Sequence, residues 1–240
     1  MKYKKIVGFG DSWIWGDELF DPALAHLPTA HPSLVENNLY RQQHCFLGQL
    51  GQYYQIPYEN FGIPGGSLQS TLWTYLWWLE HEELAVEDCL ILVGLTESSR
   101  TSFYNPTHTV YDNDAPWNRF VHSAWIHSGF SGNGTEWVHM VKANMVLTNC
   151  SELSKLNYNL TVKFFEGQHQ CLSKNILQFC TAPPPLVADA KNLIWSDRSL
   201  SFFCNKKELL APGGHPNEIG HRLLRNHLIE QIESVILAEC

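Results

Sequence analysis

The sequence lacks the features that mark a nucleic-acid-binding or a membrane-spanning protein. It has no run of lysine or arginine, and its net charge of −8 argues against a partner with a phosphate backbone. Its longest apolar run, Cys89–Leu95, is far too short to cross a bilayer. We therefore expect neither a nucleic acid nor a membrane among its partners.

The patterns that hold metals, cofactors and disulfides are also missing. The seven cysteines form no Cys-x-x-Cys pair, and their odd number is typical of reduced thiols. Cys171 with His169 lacks the ligand spacing of a zinc site, and no Walker A, His-Glu-x-x-His or EF-hand pattern occurs. The first residues contain no apolar signal segment. These absences predict a cytoplasmic protein without metal or cofactor, and they leave its oligomeric state open.

The sequence does contain an alternation of apolar strands and amphipathic helices. Apolar runs predict strands at 4–9, 58–61, 88–93 and 159–165, with a candidate fifth at 193–195. Helical spacing of apolar residues predicts helices at 40–54, 67–83, 135–156 and 217–237. This alternation predicts one α/β domain over 1–240, a three-layer α/β/α arrangement with a flavodoxin-like parallel sheet. The long polar and aromatic stretch 97–134 is interpreted as a lid or a substrate-binding insertion.

Two reactive side chains follow predicted turns at opposite ends of the chain. Ser12 ends the segment Gly8-Phe9-Gly10-Asp11-Ser12 directly after the first strand, and His215 stands just before the last helix. Right-handed crossovers bring the carboxyl ends of parallel strands to one edge of a sheet, where ligands bind. Ser12, His215 and the turns at 62–66 and 94–97 would share that edge, which suggests a nucleophile with its base.

These residues lie in four blocks that resemble, in order and rough spacing, the motifs of the SGNH (GDSL) hydrolase family. The blocks are Gly10-Asp11-Ser12, Asn60-Phe61-Gly62-Ile63-Pro64-Gly65, Gly94-Leu95-Thr96-Glu97 and His215-Pro216. The resemblance implies acyl transfer to Ser12 with His215 as base, and an oxyanion hole built from the Ser12 amide, Gly65 and Thr96. The Gly-x-Thr form followed by Arg100 is similar to a divergent, phage-encoded branch, for which a location in the virion is an alternative.

Two departures from the family pattern bear on catalysis. Thr96 stands where the family has an asparagine, and its hydroxyl is a donor of shorter reach. Pro212 stands where the family has the aspartate of its triad, a residue whose replacement in serine proteases lowers turnover about 10⁴-fold. Asp197 or Asp189 is the candidate acid in its place, and a backbone carbonyl at the histidine is the other alternative.

The residues assigned to substrate contacts are Asp11, Tyr104, Trp117 and Trp125, although Asp11 is interpreted mainly as an acceptor within its own turn. The first hypothesis is a serine esterase or acetylhydrolase that acts on a small-molecule or carbohydrate ester. The second is a binding or structural protein of the same fold with weakened catalysis, for example a glycan-binding virion component, because of Pro212 and Thr96. The third is a nucleotide- or flavin-binding module of the same fold class.

Overall fold

The computed structural model of the chain describes the sheet, its flanking helices and the turns between them. The described residues are 2–27, 34–98, 100, 102–104, 125–127, 152–172, 175–181, 190–195 and 197–238. Trp117 and Asp189 lie outside these ranges, as do the side chains of Tyr104 and Trp125 and most of the segment 97–134. The interpretation of that segment as a lid or insertion therefore stays a prediction.

A parallel sheet forms the centre of the molecule. The strands, in chain order, are β1 (Lys5–Gly10), β2 (Tyr58–Gly62), β3 (Cys89–Leu95), β4 (Ser102–Tyr104), β5 (Trp125–His127) and β6 (Ile176–Cys180). The main sheet has the order β2-β1-β3-β6, and β4 pairs with β5 in a separate antiparallel ribbon. Beyond β6, Leu193 and Ser199 make isolated parallel bridges to Gln178 and Cys180. This order and the extra bridges match the flavodoxin-like arrangement.

Helices cover both faces of the sheet. They are α1 (Ser12–Trp15), α2 (Asn38–His44), α3 (Phe46–Tyr54), α4 (Leu68–His81), α5 (Glu152–Cys171), α6 (Leu200–Phe203) and α7 (Glu218–Ala238). Successive side chains of a strand point to opposite faces. Val7 and Phe9 of β1 therefore join the core under α4 and α5, whereas Ile6 joins the core under α3 and α7. The predicted three-layer α/β/α fold is confirmed.

Two predicted elements differ in the structure. The strand predicted at 159–165 is wrong, because these residues lie inside α5. Its buried side chains Tyr158, Val162 and Phe165 recur at helical spacing. The polar residues between them produce a pattern that resembles the alternation of a strand. The helix predicted at 40–54 is broken at Cys45, whose backbone is extended, and a new helix begins at Phe46.

The carboxyl ends of the four main strands meet at one edge of the sheet. Ser12 follows β1, Gly65 lies in the turn after β2, Thr96 follows β3 and Thr181 follows β6. The neighbours of β1 are β2 and β3, so the chain crosses to opposite sides of β1 at this point. Such a switch of direction leaves a crevice in which α/β proteins bind their ligands. Within the described residues, no helix is both long and apolar enough to span a membrane.

Candidate active site

Ser12 occupies the first position of α1, in the tight turn that follows β1. Asp11 is the N-cap of this helix, and its Oδ1 accepts a hydrogen bond of 3.0 Å from the Trp13 amide. Its other oxygen accepts a hydrogen bond of 2.8 Å from Thr181 Oγ1, which ties the end of β1 to the end of β6. Asp11 is only 1% exposed. These contacts agree with its interpretation as an acceptor within the turn, and they fix the backbone on which Ser12 stands.

His215 lies beside Ser12, as the sequence predicts. The distance between His215 Nε2 and Ser12 Oγ is 2.8 Å, although the two residues are 203 positions apart in the chain. Ser12 is buried, and the histidine side chain is 24% exposed. A neutral imidazole with an unprotonated Nε2 accepts a hydrogen bond from the serine hydroxyl in this geometry. The pair therefore has the arrangement of a nucleophile and a general base.

The other ring nitrogen of His215 faces a carboxylate that the sequence analysis did not name. Glu18 Oε2 is 3.0 Å from His215 Nδ1 and accepts a second hydrogen bond of 3.0 Å from the His215 amide. Glu18 Oε1 accepts a hydrogen bond of 2.6 Å from the Gly213 amide. A Cβ at position 213 would overlap this carboxylate, so the close approach requires a glycine there. Ser12, His215 and Glu18 form one continuous line of hydrogen bonds.

The prediction that Asp197 or Asp189 faces His215 is corrected in part. Asp197 instead pairs with the neighbouring Arg198 at 3.2 Å, and its side chain is 69% exposed. Asp189 lies outside the described residues. A backbone carbonyl at Nδ1 is also ruled out as the partner, since Glu18 occupies that direction.

The turn after α1 brings Glu18 to this place. The helix has only four residues and is capped at its C-terminus by Gly16, whose φ of 79° lies in the left-handed region that glycine adopts without strain. Asp17 Oδ1 then accepts a hydrogen bond of 3.1 Å from the Glu18 amide. Glu18 itself has a φ of 64°, which is uncommon for a residue with a side chain. Two left-handed residues in close succession fold the chain back toward Gly213 and His215.

Glu18 lies in a part of the chain where the sequence motifs give no reason to expect the partner of His215. The family motif has its acid shortly before the histidine in the chain, so the sequence pattern points to the residues preceding His215 and not to the turn after the nucleophile. The available signal was the pair Asp17-Glu18 one residue after Gly16, close to the predicted nucleophile. Asp17 also lies nearby, with Oδ2 4.0 Å from His215 Nε2.

Thr96 carries a buried hydroxyl with no hydrogen-bond partner among the described residues. The residue follows β3 directly and is 2% exposed. An unsatisfied buried hydroxyl is costly and calls for an explanation, such as a ligand atom that it meets only when substrate is bound. Gly65 lies in the turn after β2, and Ser12 stands at the first position of a helix, where amide groups have no partner inside the helix.

The residues predicted to contact substrate are placed only in part. Tyr104 and Trp125 are paired in register across β4 and β5, but their side chains lie outside the described residues, as does the whole of Trp117. The described part of the chain contains no group of three or more histidine, cysteine or acidic side chains able to hold a metal ion.

Two further charged or titratable side chains are buried beneath the site. His221 is fully buried on α7, where its Nδ1 accepts a hydrogen bond of 3.2 Å from the Phe46 amide, the first amide of α3. Burial, and to a smaller extent His215, lowers the pKa of His221 to about 3. The Arg41 guanidinium stacks on Trp15 at 3.6 Å from the ring centroid, and burial lowers its pKa to about 10. Both groups contact residues of α1 or α3 and contribute to the packing of these helices rather than to the crevice.

Comparison with known proteins gives distant likenesses to solved structures. No protein-family model matches the chain, and no curated protein matches it. Among solved structures, it is similar to an acetylxylan esterase from Geobacillus stearothermophilus, with 15% identity, a TM-score of 0.45 and coverage of 97% of this chain and 96% of that one. It is also similar to a G-D-S-L family lipolytic protein from Veillonella parvula, with 12% identity, a TM-score of 0.40 and coverage of 94% and 96%.

A third likeness is to a lipase/acylhydrolase from Enterococcus faecalis, with 14% identity, a TM-score of 0.40 and coverage of 96% of both chains. TM-scores below 0.5 carry no argument about function, so the assignment of a function depends on the geometry of the site.

Proposed function

We propose that this chain is a serine hydrolase of the SGNH type that cleaves esters through an acyl-enzyme on Ser12. The observation that carries the proposal is the hydrogen bond of 2.8 Å between Ser12 Oγ and His215 Nε2 at the carboxyl edge of the sheet. Serine and histidine at this distance form the smallest unit that activates a hydroxyl as a nucleophile. The chemistry needs no metal or cofactor, since proton transfer and oxyanion binding suffice for acyl transfer.

In the first half of the reaction, Ser12 Oγ attacks the carbonyl carbon of the ester while its proton passes to His215 Nε2. The tetrahedral oxyanion is held by the amides of Ser12 and Gly65 and by the Thr96 hydroxyl. The unpartnered, buried state of that hydroxyl supports this role, because a donor reserved for the oxyanion has no partner before substrate binds. The bond to the leaving oxygen then breaks, and the proton on Nε2 passes to the leaving alcohol.

In the second half, water replaces the alcohol beside His215. The imidazole removes a proton from the water as it attacks the acyl carbon, and returns that proton to Ser12 Oγ when the acid leaves. The partial exposure of the histidine side chain supports this step, since solvent reaches part of the ring. The substrate class proposed is a small-molecule or carbohydrate ester.

The test is hydrolysis of p-nitrophenyl acetate by the wild type, Ser12→Ala and His215→Ala at pH 6–9. Matched controls are Ser234→Ala and His81→Ala, which change an exposed serine and an exposed histidine on other helices. We expect hydrolysis to disappear in the first two variants and to persist in the controls. Labelling of the wild type by a fluorophosphonate, located at Ser12 by mass spectrometry, would establish the nucleophile independently of the substrate chosen.

One combination of results would contradict the proposal. If Ser12→Ala and the wild type hydrolyse the ester at the same background rate, and no phosphonate adduct forms on Ser12, the chain is not a serine hydrolase. The binding-protein hypothesis would then replace it, with glycans as the first ligands to examine.

A further inference from the structure

We propose that Glu18 is the positioning residue of His215, a carboxylate that takes the part of the family's aspartate from a different place in the chain. The inference rests on the proposed function. In this proposal Glu18 orients the imidazole of His215, while Ser12 and His215 are the groups that touch substrate. Pro212, at the family's usual position for the acid, has no side-chain acceptor to offer.

The carboxylate of Glu18 is fixed at both of its oxygens. Oε1 accepts from the Gly213 amide, and Oε2 accepts from both the amide and the ring Nδ1 of His215. The two backbone amides hold the carboxylate in place independently of its hydrogen bond to the ring. An acceptor fixed at Nδ1 places the ring proton there and leaves Nε2 as the acceptor for Ser12, which is the tautomer that a general base requires.

No other described carboxylate is placed to do this. Asp17 Oδ2 approaches the other ring nitrogen, Nε2, at 4.0 Å, and a carboxylate there cannot hold the proton on Nδ1. Asp197 faces Arg198 at the surface. The titratable groups around the ring are therefore Glu18 at Nδ1, Asp17 near Nε2 and the buried His221 on the adjoining helix.

The backbone of Glu18 supports the same conclusion. Its φ of 64° lies in a region where glycine, or less often asparagine, is the usual residue. A turn that served only to connect α1 with the following segment would be more stable with glycine at this position. Strained residues of this kind cluster at functional sites, where the surrounding contacts hold them in place. Here the contacts that hold Glu18 are the ones that it makes to Gly213 and His215.

The experiment compares Glu18→Gln with Asp197→Asn. Both substitutions replace one carboxylate by its amide, and Asp197 is a candidate acid that the sequence analysis named. We expect Glu18→Gln to lower kcat by about 10²–10⁴-fold with KM changed less than about threefold, because the imidazole loses its orientation while the binding crevice is untouched. Asp197→Asn should retain the wild-type kcat. Equal kcat in Glu18→Gln and the wild type would overturn the proposal.

A second measurement works without any substrate. In wild-type protein labelled with ¹⁵N-histidine, the His215 signals at neutral pH should identify the tautomer protonated at Nδ1, and Glu18→Gln should shift this tautomer balance. A wild-type ring protonated at Nε2 would overturn the proposal, even if Glu18→Gln failed to fold. If the wild type shows the expected tautomer but neither hydrolysis nor phosphonate labelling, the proposed function fails and the positioning by Glu18 stands.

Discussion

His221 makes the stability of the fold dependent on pH in a way that can be calculated from its surroundings. The ring is fully buried, and its Nδ1 accepts the hydrogen bond from the Phe46 amide at the start of α3. Protonation would place a charge in the core and would abolish this acceptor. The pKa of His221 is accordingly lowered from 6.5 to about 3, with burial as the largest cause.

The sign follows from comparing the folded and the unfolded chain. Below pH 6.5 the unfolded chain binds a proton at His221, whereas the folded chain binds it only near pH 3. Folding is therefore favoured fully above pH 6.5, and this contribution is lost progressively as the pH falls toward 3. Between pH 7.5 and pH 5, His221 alone should lower the free energy of unfolding by about 2 kcal/mol.

The assay is urea-induced unfolding at pH 7.5 and pH 5, followed by tryptophan fluorescence, for the wild type and His221→Gln. Glutamine offers a neutral acceptor to the Phe46 amide and does not titrate, so it removes the histidine contribution but not that of the acidic residues. The loss of stability on acidification should be about 2 kcal/mol smaller in the variant. A loss of the same size in both proteins would refute the argument, because the buried histidine would then not be the group that binds the proton.

Two other predictions concern the crevice. Thr96→Val should lower kcat by roughly 10²–10³-fold, equivalent to about 2.7–4 kcal/mol, if the hydroxyl holds the oxyanion, whereas Thr96→Ser should retain most activity. A loss below about threefold in Thr96→Val would take Thr96 out of the mechanism. Gly213→Ala should lower kcat by at least about tenfold, because its methyl group would displace the Glu18 carboxylate from His215. The ¹⁵N signals of the His215 imidazole in Gly213→Ala should change in the same direction as those in Glu18→Gln. Signals identical to those of the wild type would contradict the reasoning.

Much of the site could be predicted from the sequence because its residues follow strands. Thr96 stands directly after β3, and Ser12 stands two residues after the end of β1. Both strands are plain apolar runs in the sequence, and parallel strands bring their carboxyl ends together. The predicted meeting of Ser12 with His215 is found in the structure. The strand period and the rule for crossovers place Ser12 and Thr96 at one edge of the sheet, and the resemblance of the four blocks to the family motifs assigns catalytic roles to them and to His215.

Elements whose apolar residues allow two interpretations were not predictable in the same way. The segment 159–165 has a short pattern that fits both periods, and packing of α5 on the sheet decides for the helix. At the break between α2 and α3, the Phe46 amide, which has no partner inside α3, donates to His221, a residue 175 positions away. No local pattern contains that information, because the partner is supplied by the folded structure.

The case of Glu18 shows why a missing motif residue is weak evidence for lost catalysis. The triad arrangement demands a line of hydrogen bonds and no particular chain order, and unrelated hydrolases satisfy it in different orders. In this chain the carboxylate shares a turn with the nucleophile, and only the histidine comes from the distant segment at 213–215. The hypothesis of a weakened, non-catalytic protein was motivated largely by Pro212. Because Glu18 supplies the carboxylate that Pro212 cannot, the absence of an aspartate at position 212 no longer favours a binding protein over a hydrolase.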